Sequence, residues 1–161
     1  TLWCPNDPKF YSATPEKDIR LGFQGGNGSE GRRTLVEALQ GYVTVGDRNE
    51  GLDSYQAYAS FLLRCKSVLN MPFGGSGNIQ MKNRVLETGL AKACLFELMG
   101  SPTKRWFTPG VDYVEYETSS DIKKTLDNPS FDWQFYANNL NKKVTENYSA
   151  ERFWERVLGN L

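Results

Sequence analysis

Short apolar runs alternate with amphipathic segments along most of this chain of 161 residues. Runs rich in β-branched and aromatic residues predict strands, and apolar positions three or four apart predict helices. The predicted strands cover residues 19–23, 42–45, 67–71, 93–99 and 111–116. Strands that alternate with helices build βαβ units. The pattern therefore predicts an α/β, Rossmann-like, doubly wound parallel sheet of about five strands flanked by helices.

The helices are placed by apolar stripes and by residues that cap helix ends. Thr118 and Asp121 have the spacing of a capping box, and Asn128-Pro129 would end that helix. Asp53 and Ser54 would cap another, whose stripe contains Tyr58. The predicted helices cover 32–40, the segment after Ser54, 79–93, the segment from Thr118, a segment from Trp133 and a last one through Phe153 and Trp154. We expect Trp133, Phe135, Phe153 and Trp154 to lie mainly in the core.

Residues 1–18 differ from the rest of the chain. They hold three of the seven prolines and show no periodicity. Such a composition is typical of a linker or extended arm. We therefore predict a linker or arm over 1–18 and a single domain over 19–161.

Composition narrows the possible functions. Lys plus Arg and Asp plus Glu both number 19, so the net charge of zero gives no general case for nucleic-acid binding. The chain contains no histidine, which excludes Ser-His-Asp and Cys-His catalysis and every histidine-containing metal site. Three widely spaced cysteines fit a reducing, cytoplasmic setting. No apolar run reaches the roughly 20 residues of a transmembrane helix.

The loop after the first predicted strand is rich in glycine. Gly26, Gly28 and Gly31 satisfy G-x-G-x-x-G, and Asp47 ends the next predicted strand. This arrangement is compatible with an NAD-binding Rossmann domain. Glu30 argues against it, because a carboxylate would stand where a pyrophosphate lies. Generic phosphate binding and an ordinary polar turn both remain open for this loop.

A second loop, Gly74-Gly75-Ser76-Gly77-Asn78, precedes the helix predicted over 79–93. Two glycine-rich loops at the carboxyl ends of strands can converge on one diphosphate. On the predicted helix, Gln80, Arg84 and Glu87 share one face. A carboxylate there can accept ribose hydroxyl hydrogen bonds and an arginine can bind phosphate. The alternative is a solvated Arg84–Glu87 ion pair.

A wider pattern carries a family resemblance. The stretches NRVLETGLAKACLFELM and FTPGVDYVEYETSSDIKKTL resemble the donor domain of GT-B glycosyltransferases of the group 1 type, in particular the spore-protein-like branch. The R-V-L-E helix start is followed by a strand, by Phe107, Gly110 and Asp112, and then by a helix near Ile122. The order and spacing of these positions carry the resemblance over most of the chain.

The resemblance implies a nucleotide-sugar-dependent glycosyltransferase whose C-terminal half this chain forms. Residues 19–161 would be its nucleotide-sugar-binding, Rossmann-like domain. Glu87 would hold the donor ribose, Arg32 or Arg33 the diphosphate, and Arg84 with the loop over 74–78 would complete the pocket. The site residues expected are Arg32, Arg33, Gly74, Gly75, Ser76, Asn78, Arg84 and Glu87, with the catalytic residues unassigned. The donor would be a UDP- or GDP-sugar, with no cofactor or metal. An N-terminal acceptor-binding domain would be the partner, without which no transfer is expected.

Two positions depart from the family pattern. Ile79 stands where many group 1 enzymes have a second glutamate, and Lys92 stands where they often have glycine. An NAD-binding domain and a non-catalytic α/β interaction domain remain alternatives at this stage.

Overall fold

A parallel sheet of five strands forms the centre of the computed structural model, which describes residues 3–25, 30–46, 55–72 and 79–159. The strand order is β2-β1-β3-β4-β5, and every neighbouring pair is parallel. The strands are β1 (Ile19–Phe23), β2 (Thr44–Val45), β3 (Cys65–Asn70), β4 (Cys94–Leu98) and β5 (Val114–Tyr116). The order reverses between β1 and β3, so the predicted doubly wound, Rossmann-like fold is confirmed.

Helices follow the strands as the sequence predicts, with one difference in extent. The described helices are α1 (Glu30–Ala38), α2 (Tyr55–Arg64), α3 (Arg84–Leu90), α4 (Ser119–Asp127), α5 (Trp133–Asn147) and α6 (Ala150–Leu158). The capping box of Thr118 and Asp121 is present at the start of α4, and Asn128 caps its end. The prediction of a helix over 79–93 is wrong in length, because α3 begins at Arg84.

Helices cover both faces of the sheet. On one face, α1 and α4 enclose a cluster that includes Leu21, Phe23, Phe96 and Ile122. On the other, α2 packs on Cys65 and Val68, and α3 packs on Leu95 together with the second half of α5. Cys65 and Cys94 are buried free thiols, as expected for small core residues.

Two helices approach each other closely at Gly89. A Cβ added to Gly89 would stand 2.6 Å from Val144 Cγ2 and 3.3 Å from Leu140 Cγ. Asn141 on α5 also donates its side-chain amide to the carbonyl oxygen of Gly89 at 2.9 Å. The absence of a side chain at this position therefore sets the distance between α3 and α5, and through it the position of α3.

The segment before β1 lies on the body of the domain. A 3-10 turn over Pro8–Tyr11 buries the Tyr11 side chain against α2. Lys17 Nζ donates to the carbonyl oxygens of Leu63, Cys65 and Ala91, at 3.0, 2.9 and 3.0 Å. It thus ties the ends of α2 and α3 to the start of β3. Burial lowers the pKa of Lys17 to about 8. The role of 1–18 as an interdomain linker stays a prediction.

The prediction that the C-terminal aromatic residues lie in the core is wrong for two of them. Phe135 and Trp154 are 47% and 53% exposed. Trp133 packs at the edge of the core cluster under α4, and Phe153 contacts Trp3 edge to face with ring centroids 5.8 Å apart. No residue of α6 is fully buried, so this helix packs on the domain through half-buried residues only. None of the described helices is long and apolar enough to cross a membrane.

Gly89→Ala and Gly31→Ala should change stability in opposite directions. Both glycines lie in helices, but a Cβ at Gly31 has no atom within 4 Å while one at Gly89 overlaps Val144. We expect Gly89→Ala to lower the free energy of unfolding by about 1–3 kcal/mol through overpacking. Gly31→Ala should raise it by about 0.5–1 kcal/mol, because alanine favours the helix. Urea denaturation measures both, and equal effects would contradict the close approach of α3 and α5.

Replacing Lys17 with methionine tests its role as a shared donor. The change leaves three carbonyl oxygens without the ammonium group, and we expect a loss of about 2–3 kcal/mol in unfolding free energy. Lys66→Met is the matched control, because Lys66 is exposed on β3, and its effect should stay within about 0.5 kcal/mol. A similar loss in both variants would show that the three hydrogen bonds of Lys17 do not stabilise the fold.

Candidate functional site

A small hollow lies beyond the carboxyl ends of β1 and β3, where the strand order reverses. Its volume is about 120 Å³. The residues that line it are Gly25, Arg32, Tyr58, Met71, Lys82, Arg84 and Glu87. They come from the residues after β1 and β3, from α1, α2 and α3, and, for Lys82, from the segment before α3. In open α/β sheets this is the place where ligands bind.

Glu87 provides the carboxylate of the hollow. It lies in the first turn of α3 and is only 7% exposed. Tyr58 donates its hydroxyl to Glu87 Oε2 at 2.8 Å, and Asn83 donates its side-chain amide to Oε1 at 2.9 Å. Burial raises the pKa of the Tyr58 hydroxyl more than the neighbouring Arg84 lowers it, so this group stays protonated and donates. Each carboxylate oxygen thus accepts from a fixed donor, out of about two acceptor positions that it has.

A chain of hydrogen bonds runs from Glu87 to the segment before β1. Asn83 and Asn6 form a reciprocal amide pair, with N–O distances of 2.8 and 3.3 Å. Tyr55 donates its hydroxyl to Asn6 Oδ1 at 3.1 Å, and its oxygen lies 2.9 Å from the hydroxyl of Tyr11. The position of the carboxylate therefore depends on Asn6, which lies 77 positions from Asn83 along the chain.

Arg84 also lines the hollow and contacts residues of β1, of the segment after β1 and of α2. Its Nη2 donates to the carbonyl oxygen of Gln24, and its Nε lies 3.4 Å from the hydroxyl oxygen of Tyr58. The guanidinium also lies over the ring of Phe23, 5.6 Å from the centroid. A Cβ at Gly25 would meet the Phe23 ring at 2.9 Å, so glycine lets the backbone lie against this ring beside Arg84.

Three cationic side chains face the hollow: Arg32, Lys82 and Arg84. Partial burial lowers the pKa of Lys82, and the positive charges of Arg32 and Arg84 lower it further. Three like charges gathered at one point repel each other unless an anion joins them. Among the described residues that line the hollow, Glu87 is the one carboxylate, so together they carry a net positive charge and suit an anionic ligand.

The structure brings some of the predicted site residues together and separates others. Arg32, Arg84 and Glu87 line the same hollow, whereas Arg33 is exposed on α1 and does not line it. The prediction that Gln80 shares a helix face with Arg84 and Glu87 is wrong. Gln80 precedes α3, and its backbone N–H donates to the carbonyl oxygen of Pro72 at 2.9 Å, which holds the segment outside the helix. Gly74, Gly75, Ser76, Asn78, Gly26, Gly28 and Asp47 lie outside the described residues.

The sequence prediction missed several polar groups that shape the site. The sequence places Tyr58 in the apolar stripe of α2, whereas in the structure its hydroxyl contacts both Glu87 and Arg84. Lys82 and Asn83 precede the R-V-L-E sequence and carried no signal of their own. Asn6 lies in the predicted arm, and no pattern in the sequence relates it to Asn83.

A second buried carboxylate lies in the sheet beside the site. Glu97 on β4 is fully buried and accepts from Asn70 Nδ2 at 2.6 Å and from Thr103 Oγ1 at 3.0 Å. Burial raises the pKa of Glu97, against the effect of these donors. Tyr116 donates its hydroxyl to the carbonyl oxygen of Asn70 at 2.8 Å. These bonds join β3, β4 and β5 beneath the carboxyl edge, so we assign Glu97 a structural role.

Comparisons by sequence give no assignment, since no family model matches the chain and no curated protein matches it significantly. Solved structures do match. HepE of Anabaena in complex with UDP-glucose aligns with a TM-score of 0.66 at 12% identity, over 99% of this chain and 57% of HepE. The pneumococcal O-GlcNAc transferase GtfA, in complex with UDP and GlcNAc, aligns with a TM-score of 0.58 at 9% identity, over 92% of this chain and 36% of GtfA.

The C-terminal domain of LpcC, a group 1 glycosyl transferase of Francisella tularensis, aligns with a TM-score of 0.55 at 15% identity. That alignment covers 92% of this chain and 95% of the LpcC domain. The chain spans only part of HepE and GtfA, but nearly all of this isolated domain. Identities this low establish the fold alone. The chain has the fold of the C-terminal domain of GT-B glycosyltransferases, as the group 1 resemblance in its sequence predicts.

Proposed function

We propose that this chain is the donor-binding domain of a glycosyltransferase, which binds a nucleoside-diphosphate sugar and stabilises the leaving diphosphate. The observation that carries the proposal is the hollow in which the buried Glu87 faces Arg32, Lys82 and Arg84. A carboxylate beside several cations matches the two halves of a nucleotide, a ribose diol and a diphosphate. The UDP and UDP-glucose bound by structural neighbours support this choice of ligand.

Glu87 is the proposed ribose-binding residue. A carboxylate has about four acceptor positions on its two oxygens, and Tyr58 and Asn83 occupy one on each. The remaining positions suit two neighbouring hydroxyl donors, which the ribose diol supplies. Because Tyr58 and Asn83 fix the carboxylate before a ligand arrives, little conformational freedom is lost on binding.

The cations are the proposed diphosphate site. Arg84 is fixed by the carbonyl oxygen of Gln24 and still has donors for a phosphate oxygen. Fixed positive charge stabilises the negative charge that develops on the diphosphate as the glycosidic bond breaks. Of the two neighbouring arginines that the sequence leaves open, Arg32 is the proposed diphosphate contact, because it lines the hollow and Arg33 does not. The loop of Gly74, Gly75, Ser76 and Asn78 stays a prediction as a further contact to the donor.

The remaining parts of the prediction concern the whole protein. The acceptor-binding domain, a catalytic base supplied from it, and the inability of this chain to transfer sugar alone are proposals drawn from the family resemblance. Three further statements are proposals of the same kind: the donor is a UDP- or GDP-sugar, no metal ion is needed, and the protein is cytoplasmic.

Glu87→Ala should weaken UDP binding about tenfold or more, because a hydrogen bond to a charged group contributes about 1.5–3 kcal/mol. Titration calorimetry of the chain with UDP and with GDP measures this and shows which nucleotide binds. Glu146→Ala is the matched control, because Glu146 is exposed on α5 and does not line the hollow.

Glu87→Ala also removes the acceptor of Tyr58 and Asn83, so the variant could lose UDP affinity because it is less stable. Thermal unfolding of the variant shows whether it is still folded under the conditions of the titration. Glu87→Gln serves as a second variant that keeps the size of the side chain. Equal UDP affinities in a folded Glu87→Gln protein and the unchanged chain would rule out the ribose role.

Arg32→Gln and Arg33→Gln should differ in their effect on UDP binding. Arg32 lines the hollow, whereas Arg33, its neighbour on the same helix, is exposed outside it. We expect Arg32→Gln to lower the affinity about tenfold and to reduce its salt dependence, because a contact to phosphate is lost. Arg33→Gln should change the affinity less than about twofold. Calorimetry at two salt concentrations measures both variants, and a larger loss for Arg33 would place the diphosphate elsewhere.

A further inference from the structure

Two opposite charges lie near each other on α3 without forming an ion pair. Arg84 and Glu87 are three residues apart in this helix, a spacing at which an arginine and a glutamate can pair. The ion pairs among the described residues do not include these two. The direct Arg84–Glu87 pair that the sequence leaves open is therefore not formed, although both side chains line the same small hollow.

The hydroxyl of Tyr58 bonds to both charges. It donates to Glu87 Oε2 at 2.8 Å and accepts a long hydrogen bond from Arg84 Nε at 3.4 Å. A hydroxyl has one donor and also accepts, so one group can serve a carboxylate and a guanidinium at once. The two charges on α3 are thus joined through a neutral group from α2 and not to each other.

Each charged group also has a second contact of its own. Glu87 Oε1 accepts from Asn83 Nδ2 at 2.9 Å, and Arg84 Nη2 donates to the carbonyl oxygen of Gln24. A guanidinium has five N–H donors and a carboxylate about four acceptor positions, so these contacts use only part of either group. Both groups are therefore fixed in place while part of their hydrogen-bonding capacity remains for a ligand.

The position of the Tyr58 hydroxyl is set by the core. The Tyr58 ring packs against the buried cluster that includes Leu62 and Cys65, and its centroid lies 6.1 Å from that of the Tyr55 ring. Phenylalanine has nearly the same shape as tyrosine, so it can keep these ring contacts and lose only the hydroxyl. Tyr58→Phe therefore removes the group between the charges and leaves the packing of α2 in place.

We propose that Tyr58 is a positioning residue of the donor site, which keeps Arg84 and Glu87 from pairing with each other. The guanidinium then stays open to the diphosphate and the carboxylate to the ribose, so the inference rests on the proposed donor function. Without the hydroxyl, the two charges form a direct ion pair across one turn of α3. A ligand must break that pair before it binds, and its affinity falls by the fraction of chains in which the pair is formed.

Inorganic pyrophosphate tests the separation of the charges, because it offers phosphate oxygens to Arg84 and has no ribose for Glu87. Titration calorimetry measures its affinity and that of UDP. We expect Tyr58→Phe to weaken both ligands about tenfold or more, because Arg84 is then held by Glu87. The same change made in a Glu87→Gln chain should alter pyrophosphate affinity less than about twofold, because no carboxylate remains to pair with Arg84.

Tyr116→Phe is the matched control, because its hydroxyl is also buried and hydrogen-bonded but does not line the hollow. It should leave both affinities within about twofold, which separates the role of Tyr58 from the general loss of a buried hydroxyl.

Equal pyrophosphate affinities in Tyr58→Phe and the unchanged chain would overturn the inference even if UDP binding is weakened, since Tyr58 would then act on Glu87 alone. A loss that is just as large in the Glu87→Gln chain would also overturn it, since Glu87 would not be its cause. So would binding of UDP without binding of pyrophosphate, because the cations would then not be open to phosphate. If the unchanged chain binds neither ligand, the donor proposal itself fails and the inference fails with it.

Discussion

The carboxylate of Glu87, buried and held between two donors, is the constraint on which the rest of the site depends. A buried carboxylate without partners is strongly unfavourable, so the fold must bring donors to it. Tyr58 comes from α2 and Asn83 from the turn before α3. These two bonds therefore fix the positions of α2 and α3 relative to each other at the carboxyl edge of the sheet. The close approach at Gly89 fixes the other end of α3 against α5.

The positive charges around the hollow destabilise the folded domain and favour the binding of an anion. Arg32, Lys82 and Arg84 line one small space, and their mutual repulsion is reduced when a diphosphate enters. A ligand that binds only the folded state stabilises it in proportion to the logarithm of its concentration. Repulsion among these charges therefore lowers the stability of the empty domain, and an anion bound between them would restore it.

The alternation of apolar runs and amphipathic stripes was enough to predict the sheet, since burial of strands such as β3 and β4 leaves a clear pattern. The same pattern predicts the wrong helix start where a backbone hydrogen bond holds apolar residues outside the helix. The segment 79–83 continues an apolar pattern into α3, yet the bond from Gln80 to Pro72 keeps it out of the helix. Lys92, just after α3, has a φ of 50°. Glycine adopts this left-handed conformation more readily than lysine. This explains why glycine is common at this position in the family.

The site was predictable only as far as the family pattern reached. Arg84 and Glu87 stand within that pattern, and Arg32 was one of two neighbouring arginines that it could not separate. The sequence gives no signal for the roles of Tyr58, Lys82 and Asn6. Each of them comes to the hollow, or to the hydrogen bonds around it, only through the tertiary packing of residues that are distant in sequence. A tyrosine in an apolar stripe gives no indication whether its hydroxyl reaches a partner.

The reciprocal amide pair of Asn6 and Asn83 has a thermodynamic consequence. Because Asn83 also bonds Glu87, docking of the N-terminal segment and placement of the Glu87 carboxylate depend on the same side chain. Each of these two events therefore stabilises the other by the same coupling free energy, since linkage is reciprocal. A change that weakens the docking of the N-terminal segment should thus also loosen the carboxylate in the hollow, without moving the sheet.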